Sequence, residues 1–483
     1  MSTHGIRAQR EAYDAGVLTP VEAAERFLAT QPVGGEVDPF VSVDADSLLA
    51  EAQQSTERLQ AGTPRGPLEG ILVGIKDFFA VRGHLTRGGT SFLADQPDYD
   101  AELVQRVRAA GGIIAGKNRT TELGLSPIGV NASSGSPRNP HDTRRPTGGS
   151  SAGAGAAVAS GMVPLAVGTD GGGSVRIPPA LSGVMGFKPT FDRIPMHGEL
   201  NVGWWSVDHA GPIARTVEDL AVAYGVLAAV PTPDLQARTD DIRVGVDWDW
   251  WGQPDTAVDR ACRAVVDGLA AKPVSIEHLD LVRVTEYVTI AGEVGAAMYD
   301  DVRDHPERFG LDVQSVLQAA MDIPAVDYLR AQQARTLISR AFDAVFAEVD
   351  VLVTPTTACT APLLPDAIWR YGLLDEPLLR KLTAYSFAAN LIGIPAVTVP
   401  VGTDNDGMPI GFQIMAARGR EDVVLRLAAA LERDGIAAVP HPKVWYHPLP
   451  GEDHLQHHGG TPDGHKETGA ENGVARGRGR KRR

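Results

Sequence analysis

Two serine clusters set among glycines carry the densest chemical signal in the chain. The stretch GGSSAGAGAAVASGMVPLAVGTDGGGSVRIPPA starts at Gly148 and holds Ser150, Ser151 and Ser174. Gly171, Gly172 and Gly173 stand directly before Ser174, and glycines let backbone N–H groups approach a ligand closely. Convergent amides of that kind suit a developing oxyanion, where loss of one donor in known hydrolases costs roughly 10²- to 10³-fold in rate. A serine hydroxyl is a poor nucleophile at neutral pH, so a base must lie within hydrogen-bonding reach. Of the 13 histidines, none sits in a comparable Gly-rich or strand-end context, whereas Lys76 lies inside the apolar run ILVGIKDFFAV. Burial pushes a lysine toward its neutral, proton-accepting form, and Ser/Lys variants of the catalytic triad are known chemistry. The pattern by itself leaves a surface position for Lys76 equally open.

Rival motifs are weaker. Gly149 to Gly153 spells GSSAG, a formal GxSxG centred on Ser151, but no apolar strand precedes it as a nucleophile elbow requires. No SxxK, GxxxxGK[ST] or GxGxxG occurs, which removes the penicillin-binding signature and the common phosphate loops, and no nucleotide cofactor is implied. His454, His457 and His458 have metal-like spacing but fall in a polar tail, where adventitious binding is the expectation. Cys262 shares an apolar helix face with Val258, Val265 and Leu269 and reads as core. Cys359 is in a loop, where core filler is favoured over cleft lining; Trp204 and Trp205 could wall a pocket or sit in a core.

The elements that must hold these residues follow from periodicity. Helices are expected over 10–30, 44–61, 101–110, 151–160, 255–271, 327–347 and 421–433, with another starting at Thr216. Strands are expected in 71–81, with Lys76 near the end, in VPLAVG before Thr169 and Asp170, and in DIRVGV, VDVLVTP, AVTVPVG and GFQIMAA. A long Gly/Ser/Asn/Pro-rich loop spans 124–150, and loops of that length are usually functional. The alternation argues for one α/β sheet covered by helices, without internal repeats.

Bulk properties bound the function. The chain has 483 residues, 43% hydrophobic and 22% charged, enough for one large domain or two medium ones. A formal charge of −15 argues against a nucleic-acid-coating body, since phosphate binding needs a cationic footprint. A small-molecule substrate is the default. Two cysteines exclude a disulfide framework and suit a reducing cytoplasm. No signal-peptide core and no strongly apolar run of about 20 residues occurs, so no membrane span is expected. Pro146 to Thr169 carries no charge but is mostly Gly, Ala and Ser, and reads as a buried catalytic segment. Residues 449–483 are polar, His- and Gly-rich, and end in RGRGRKRR; they read as a disordered, solvated tail.

The motifs together resemble the amidase-signature family. GGSSAG at 148–153 is similar to its GGSSGG, and GTDGGGSVRIPPA at 168–180 to its GTDxGGSxRxPA, with Ser150 and Ser174 separated by the 24 positions the family requires. GIKD around Lys76, GKNRTTELG, GVMGFKPT, DHAGPIARTVEDLA, DVLVTPT, NLIGIPAVTVPVG and GMPIGFQIM resemble further family elements in order, so the likeness covers roughly residues 10 to 445. Ala152 in place of a glycine and the additional Gly171 are departures.

The resemblance implies an α/β fold over residues 1–448: a single amidase-signature domain whose mixed central β-sheet is covered by helices on both faces. It implies Ser174 as acyl-forming nucleophile, Ser150 as bridging hydroxyl after a cis peptide bond, and Lys76 as ultimate base. The amides of Gly171, Gly172 and Gly173 would form the oxyanion hole, while Ser151, Asp170 and Arg176 would hold the glycine turn in shape. Neither a metal nor an organic cofactor is implied. The expected reaction is hydrolysis of a small-molecule carboxamide to an acid and ammonia or an amine; a homodimer is left open, and neither nucleic acid nor membrane is an expected partner. The alternative is the glutaminase subunit of a tRNA-dependent amidotransferase, but that subgroup reads SIRQPA where this chain has SVRIPPA with Ile177. A catalytically dead scaffold is opposed by the intact Lys76, Ser150 and Ser174. The acyl pocket is expected to depend on loops at roughly 190–210 and 290–330.

Overall fold

Eleven short runs rich in β-branched and apolar residues pair into one sheet: β1 (Phe40–Ser42), β2 (Leu72–Lys76), β3 (Ile113–Asn118), β4 (Leu165–Thr169), β5 (Met185–Lys188), β6 (Ala210–Ala214), β7 (Val244–Val246), β8 (Lys272–Pro273), β9 (Val351–Pro355), β10 (Ala396–Thr403) and β11 (Pro409–Ala416). The computed structural model describes residues 5–446, so the polar tail expected over 449–483, with its histidines and terminal arginines, lies outside the described residues. The strand order is β1-β3-β2-β4-β6-β5-β10-β11-β9-β7-β8. β2 runs parallel to β3 and β4, whereas β4–β6, β6–β5, β5–β10 and β10–β11 are antiparallel, so the sheet is mixed, as expected.

Side chains alternate across a strand, and both faces of this sheet are covered. Val73, Ile75, Leu165 and Val167 pack with the helices Glu102–Ala109, Val217–Ala228, Thr256–Gly268 and Glu421–Arg433. Leu72 and Ala166 face the other way, onto the helices Ala45–Gln60 and Ala152–Ala159. The second of these helices, AGAGAAVA, is buried along its whole length. Small residues on every side let it lie close to the sheet, which is why its hydrophobicity has no amphipathic period. The uncharged segment from Pro146 to Thr169 is buried throughout.

One expected helix divides. The helix over 10–30 is two helices, Ile6–Asp14 and Pro20–Ala29, because Thr19 and Glu22 form a capping box with Pro20 in the first turn and so start a new helix. The run from Ile113 to Asn118, just ahead of the long loop, forms β3. The loop itself is mostly buried, so its backbone groups need partners. Asn131 supplies some, its Oδ1 accepting from the amides of Ser133 at 2.9 Å and Ser134 at 3.0 Å, while its Nδ2 ties the loop to the carbonyls of Gly89 and Thr120. Asn139 donates to the Pro146 carbonyl within the loop at 3.0 Å and to the Leu181 carbonyl of the helix Ile177–Ser182 at 2.8 Å. Among the described residues no helix is long and apolar enough to cross a membrane.

Candidate active site

Lys76 ends β2 on the face shared with Leu72, and it is fully buried. Because β2 and β4 are parallel neighbours, their C-terminal ends lie side by side, and Thr169 of β4 meets Lys76 there. The Lys76 Nζ donates to Ser150 Oγ at 2.8 Å and to Thr169 Oγ1 at 2.7 Å, and stands 4.6 Å from the centre of the Phe78 ring. No carboxylate forms an ion pair with it among the described residues. Burial therefore dominates and pulls its pKa down to about 8, against the opposing pull of Asp208, Glu199 and Asp170. A lysine in that range has about a tenth of its population neutral at pH 7. Ser150 is 2% exposed, follows a cis Gly149–Ser150 peptide, and comes just before the helix Ala152–Ala159.

Ser174 sits on a turn between β4 and the short helix Ile177–Ser182. The turn is built around Asp170, whose carboxylate accepts from the amides of Gly173 at 2.7 Å and Val175 at 3.0 Å and from Arg176 Nε at 2.9 Å. Arg176 and Asp170 form a wholly buried ion pair at 2.9 Å. Arg176 also donates to the Ser386 carbonyl at 3.0 Å, to Gln413 Oε1 at 2.7 Å and to Asn390 Oδ1. With its oxygens so fully engaged, Asp170 is held far below the usual carboxylate range although it is buried. Gly173 has φ 127°, and a Cβ there would meet Ile177 and Ser386 at 2.7 Å, so the turn demands glycine.

The Gly173 amide is thus committed to Asp170, which corrects the expected set of three oxyanion donors. The amides of Gly171, Gly172 and Ser174 carry no hydrogen bond among the described residues. A Cβ on Gly171 would meet the Trp204 ring at 2.4 Å, so glycine there lets the indole lie against the turn. Ser151 is fully buried and donates to the Thr169 carbonyl at 3.0 Å. That removes the nucleophile-elbow reading, since its hydroxyl ties the helix start to β4.

A cleft of about 320 Å³ opens at Ser174. Its walls are largely apolar, with Ile177, Trp204, Ile290, Val316, Ile323 and Phe387 among them, and its polar lining includes Thr383 and Glu376. Trp204 lines the cleft and donates to the Leu123 carbonyl at 2.8 Å, whereas Trp205 is exposed. The region 290–330 does contribute walls, mostly from the helices Leu279–Ala297 and Leu311–Met321, with Ile323 added from the loop that follows. Cys359 is packed with Ile128 and Leu181, and Cys262 lies in the main core. Among the described residues no group of three or more His, Cys, Asp or Glu side chains could hold a metal ion.

Thr169, Asn390 and Gln413 were not singled out by sequence reasoning. Thr169 was legible as the residue ending the strand beside Lys76; Asn390 and Gln413 are more than 200 positions from the turn they hold and leave no local signal.

The sequence model of the family described as Amidase matches residues 22–425. A fatty acid amide hydrolase of Medicago truncatula is 35% identical over 460 residues, spanning 89% of this chain and 76% of the relative. A glutamyl-tRNA(Gln) amidotransferase subunit from Chloroflexus aggregans is 35% identical over 477 residues, spanning 89% and 96%. Among solved structures, a crystal structure of an amidase superposes with a TM-score of 0.81 at 29% identity, over 89% of this chain and 99% of that one.

Proposed function

The chain belongs to the amidase family of amide-hydrolysing enzymes, and on that premise we propose that it cleaves amides bearing a bulky apolar group through an acyl-enzyme on Ser174. The observation that carries the reading is the buried 2.8 Å contact between Lys76 Nζ and Ser150 Oγ, beside a cleft whose wall includes Ser174. Neutral Lys76 takes the Ser150 proton as Ser150 takes that of Ser174, and the Ser174 oxygen attacks the carbonyl carbon. The oxyanion is met by the amides of Gly171, Gly172 and Ser174. As the intermediate collapses, the C–N bond breaks, and the leaving nitrogen receives a proton from Ser150, which Lys76 replenishes. Water then repeats the sequence on the ester.

The apolar cleft supports the substrate class. Glutamine would place an ammonium, a carboxylate and an amide against walls with few polar partners, which disfavours the amidotransferase reading. Lengthening an alkyl acyl chain is expected to raise kcat/KM about fourfold per methylene until the cleft is filled. Free, buried Cys262 and Cys359 fit a reducing cytoplasm. The test is mass mapping of a fluorophosphonate adduct, together with turnover of an amide panel. The label is expected on Ser174, and Ser174→Ala is expected to abolish both labelling and turnover while leaving the fold intact. A label on Ser151 or Ser150 would overturn the assignment.

A further inference from the structure

Two carboxyl groups, that of buried Asp208 and that of half-buried Glu199, favour the protonated form of Lys76 and have no part in the steps above. The chain leaving β2 is met by residues 198–200: the Leu200 amide donates to the Phe78 carbonyl at 2.7 Å, the Ala80 amide to the Gly198 carbonyl at 2.8 Å, and Glu199 is the bridge partner of Phe79. Glu199 is thereby fixed three positions beyond Lys76. Asp208 arrives from a second element. It precedes β6, whose Ala210 pairs with Thr169, the acceptor of Lys76. Asp208 is 4% exposed, and its Oδ1 accepts from the His209 amide at 2.9 Å. Glu199 Oε1 is buried without a hydrogen-bond partner, and the two carboxyl groups are close enough for each to act on the other's ionisation.

Two carboxylates this close cannot both ionise, so the pair keeps one proton. The proton belongs on Glu199. Burial and the neighbouring Asp208 both raise that group far above its usual range, while Asp208, also raised by burial, is pulled back by Lys76, by Glu199 and by the His209 amide. We propose that Glu199 and Asp208 are positioning residues for the hydrolysis: as a singly protonated pair they hold one fixed negative charge opposite Lys76, ready for the ammonium that forms when Lys76 takes the serine proton. The proposal rests on Lys76 being the base.

Other charges nearby are already answered. Asp170 is closed off by Arg176, and Asp77 is turned to Lys117 at 3.1 Å. Lys188 donates to the carbonyls of Pro189 and Ile394 and is driven toward its neutral form by burial. His209 is likewise kept neutral by burial. Asp208 is the strongest of the charges that favour the protonated form of Lys76. An isolated buried ammonium is strongly disfavoured, and here it would form at each acylation. No bond to the pair is made or broken; the proton travels from Ser174 through Ser150 to Lys76 and returns to the leaving nitrogen.

The full-length protein carries the test. The rate of fluorophosphonate labelling of Ser174 would be followed between about pH 5 and 10 for wild type, Asp208→Asn, Glu199→Gln, Glu199→Leu and Lys76→Ala. A negative charge favours the ammonium, so its removal makes Lys76 a weaker base. Asp208→Asn is expected to move the acidic limb down by about one pH unit or more and to lower the plateau. Glu199→Gln keeps a donor near Asp208 and is expected to leave the limb in place, whereas Glu199→Leu shifts it in the same direction as Asp208→Asn. Should Asp208→Asn not fold, Glu199→Leu decides. Limbs within about 0.3 unit of wild type in Asp208→Asn and Glu199→Leu, with the limb abolished in Lys76→Ala, would overturn the pair and spare the base. A slower reaction with an unmoved limb counts as the same refutation. A wild-type limb surviving in Lys76→Ala would remove the base assignment and the pair with it.

Discussion

Lys76 and Lys117 lie on adjacent strands, are both fully buried, and differ by one step of register, since Lys117 stands opposite Ile75 and Asn118 opposite Lys76. That single step sends them to opposite faces of the sheet. Lys117 meets the Phe79 carbonyl at 2.7 Å, Thr86 Oγ1 at 2.9 Å and the Asp77 carboxylate at 3.1 Å. Lys76 meets two hydroxyls. Burial lowers the pKa of both, but only Lys117 has a carboxylate in contact to answer its charge. A buried lysine held in contact with a carboxylate serves the fold, whereas one whose direct contacts are hydroxyls suits the proposed proton exchange.

The contrast can be broken at either end. Lys76→Met should cut turnover and labelling by about 10²- to 10⁴-fold at neutral pH and change the unfolding free energy less than the corresponding change at Lys117. Full activity in Lys76→Met would end the distinction. Lys117→Met strands the Asp77 carboxylate, and denaturant titration should show about 3–5 kcal/mol of lost stability; an unchanged midpoint would mean that the ion pair is not structural. The pH profile sharpens the difference further. Only neutral Lys76 accepts a proton, so the wild-type rate should fall about tenfold per unit below about pH 8, and a flat profile from pH 6 to 9 would contradict it. The smallest effect is expected from Thr169→Val, which removes one of the two hydroxyl contacts of Lys76. A loss of about 2- to 10-fold in kcat with the limb still present would show Thr169 orienting the base; a change in KM alone would not.

The residues to which we assign the chemistry were legible because their neighbours are unusual: glycines before Ser174, an uncharged run around Ser150, and a lysine inside ILVGIKD. The helix Leu279–Ala297 was not, although it walls the cleft. Its buried face carries Thr285, Glu286, Thr289 and Glu293 beside Val282, Ile290 and Val294, so an apolar repeat of 3.6 does not emerge. β6 was missed for a related reason. AGPIA contains glycine and a proline that argues against a central strand, yet Pro212 lies opposite Val167 within the sheet. Glu199 and Asp208 carry no local signal of their own, since carboxylates are mostly exposed; the fold brings their segments to the end of β2.

The clasp on the turn that carries Ser174 has a consequence in time. Arg176 is held by Ser386, Asn390 and Gln413, which follow it by 210, 214 and 237 positions. During synthesis Lys76, Ser150 and Ser174 all leave the ribosome long before those partners exist. Contacts of such sequence separation form late, because the intervening chain must first be closed into a loop. A nascent chain that stops short of Ser386 therefore carries all three residues of the proposed relay without the frame that holds the Ser174 turn, and on that proposal reactivity arrives only as the last strands join the sheet.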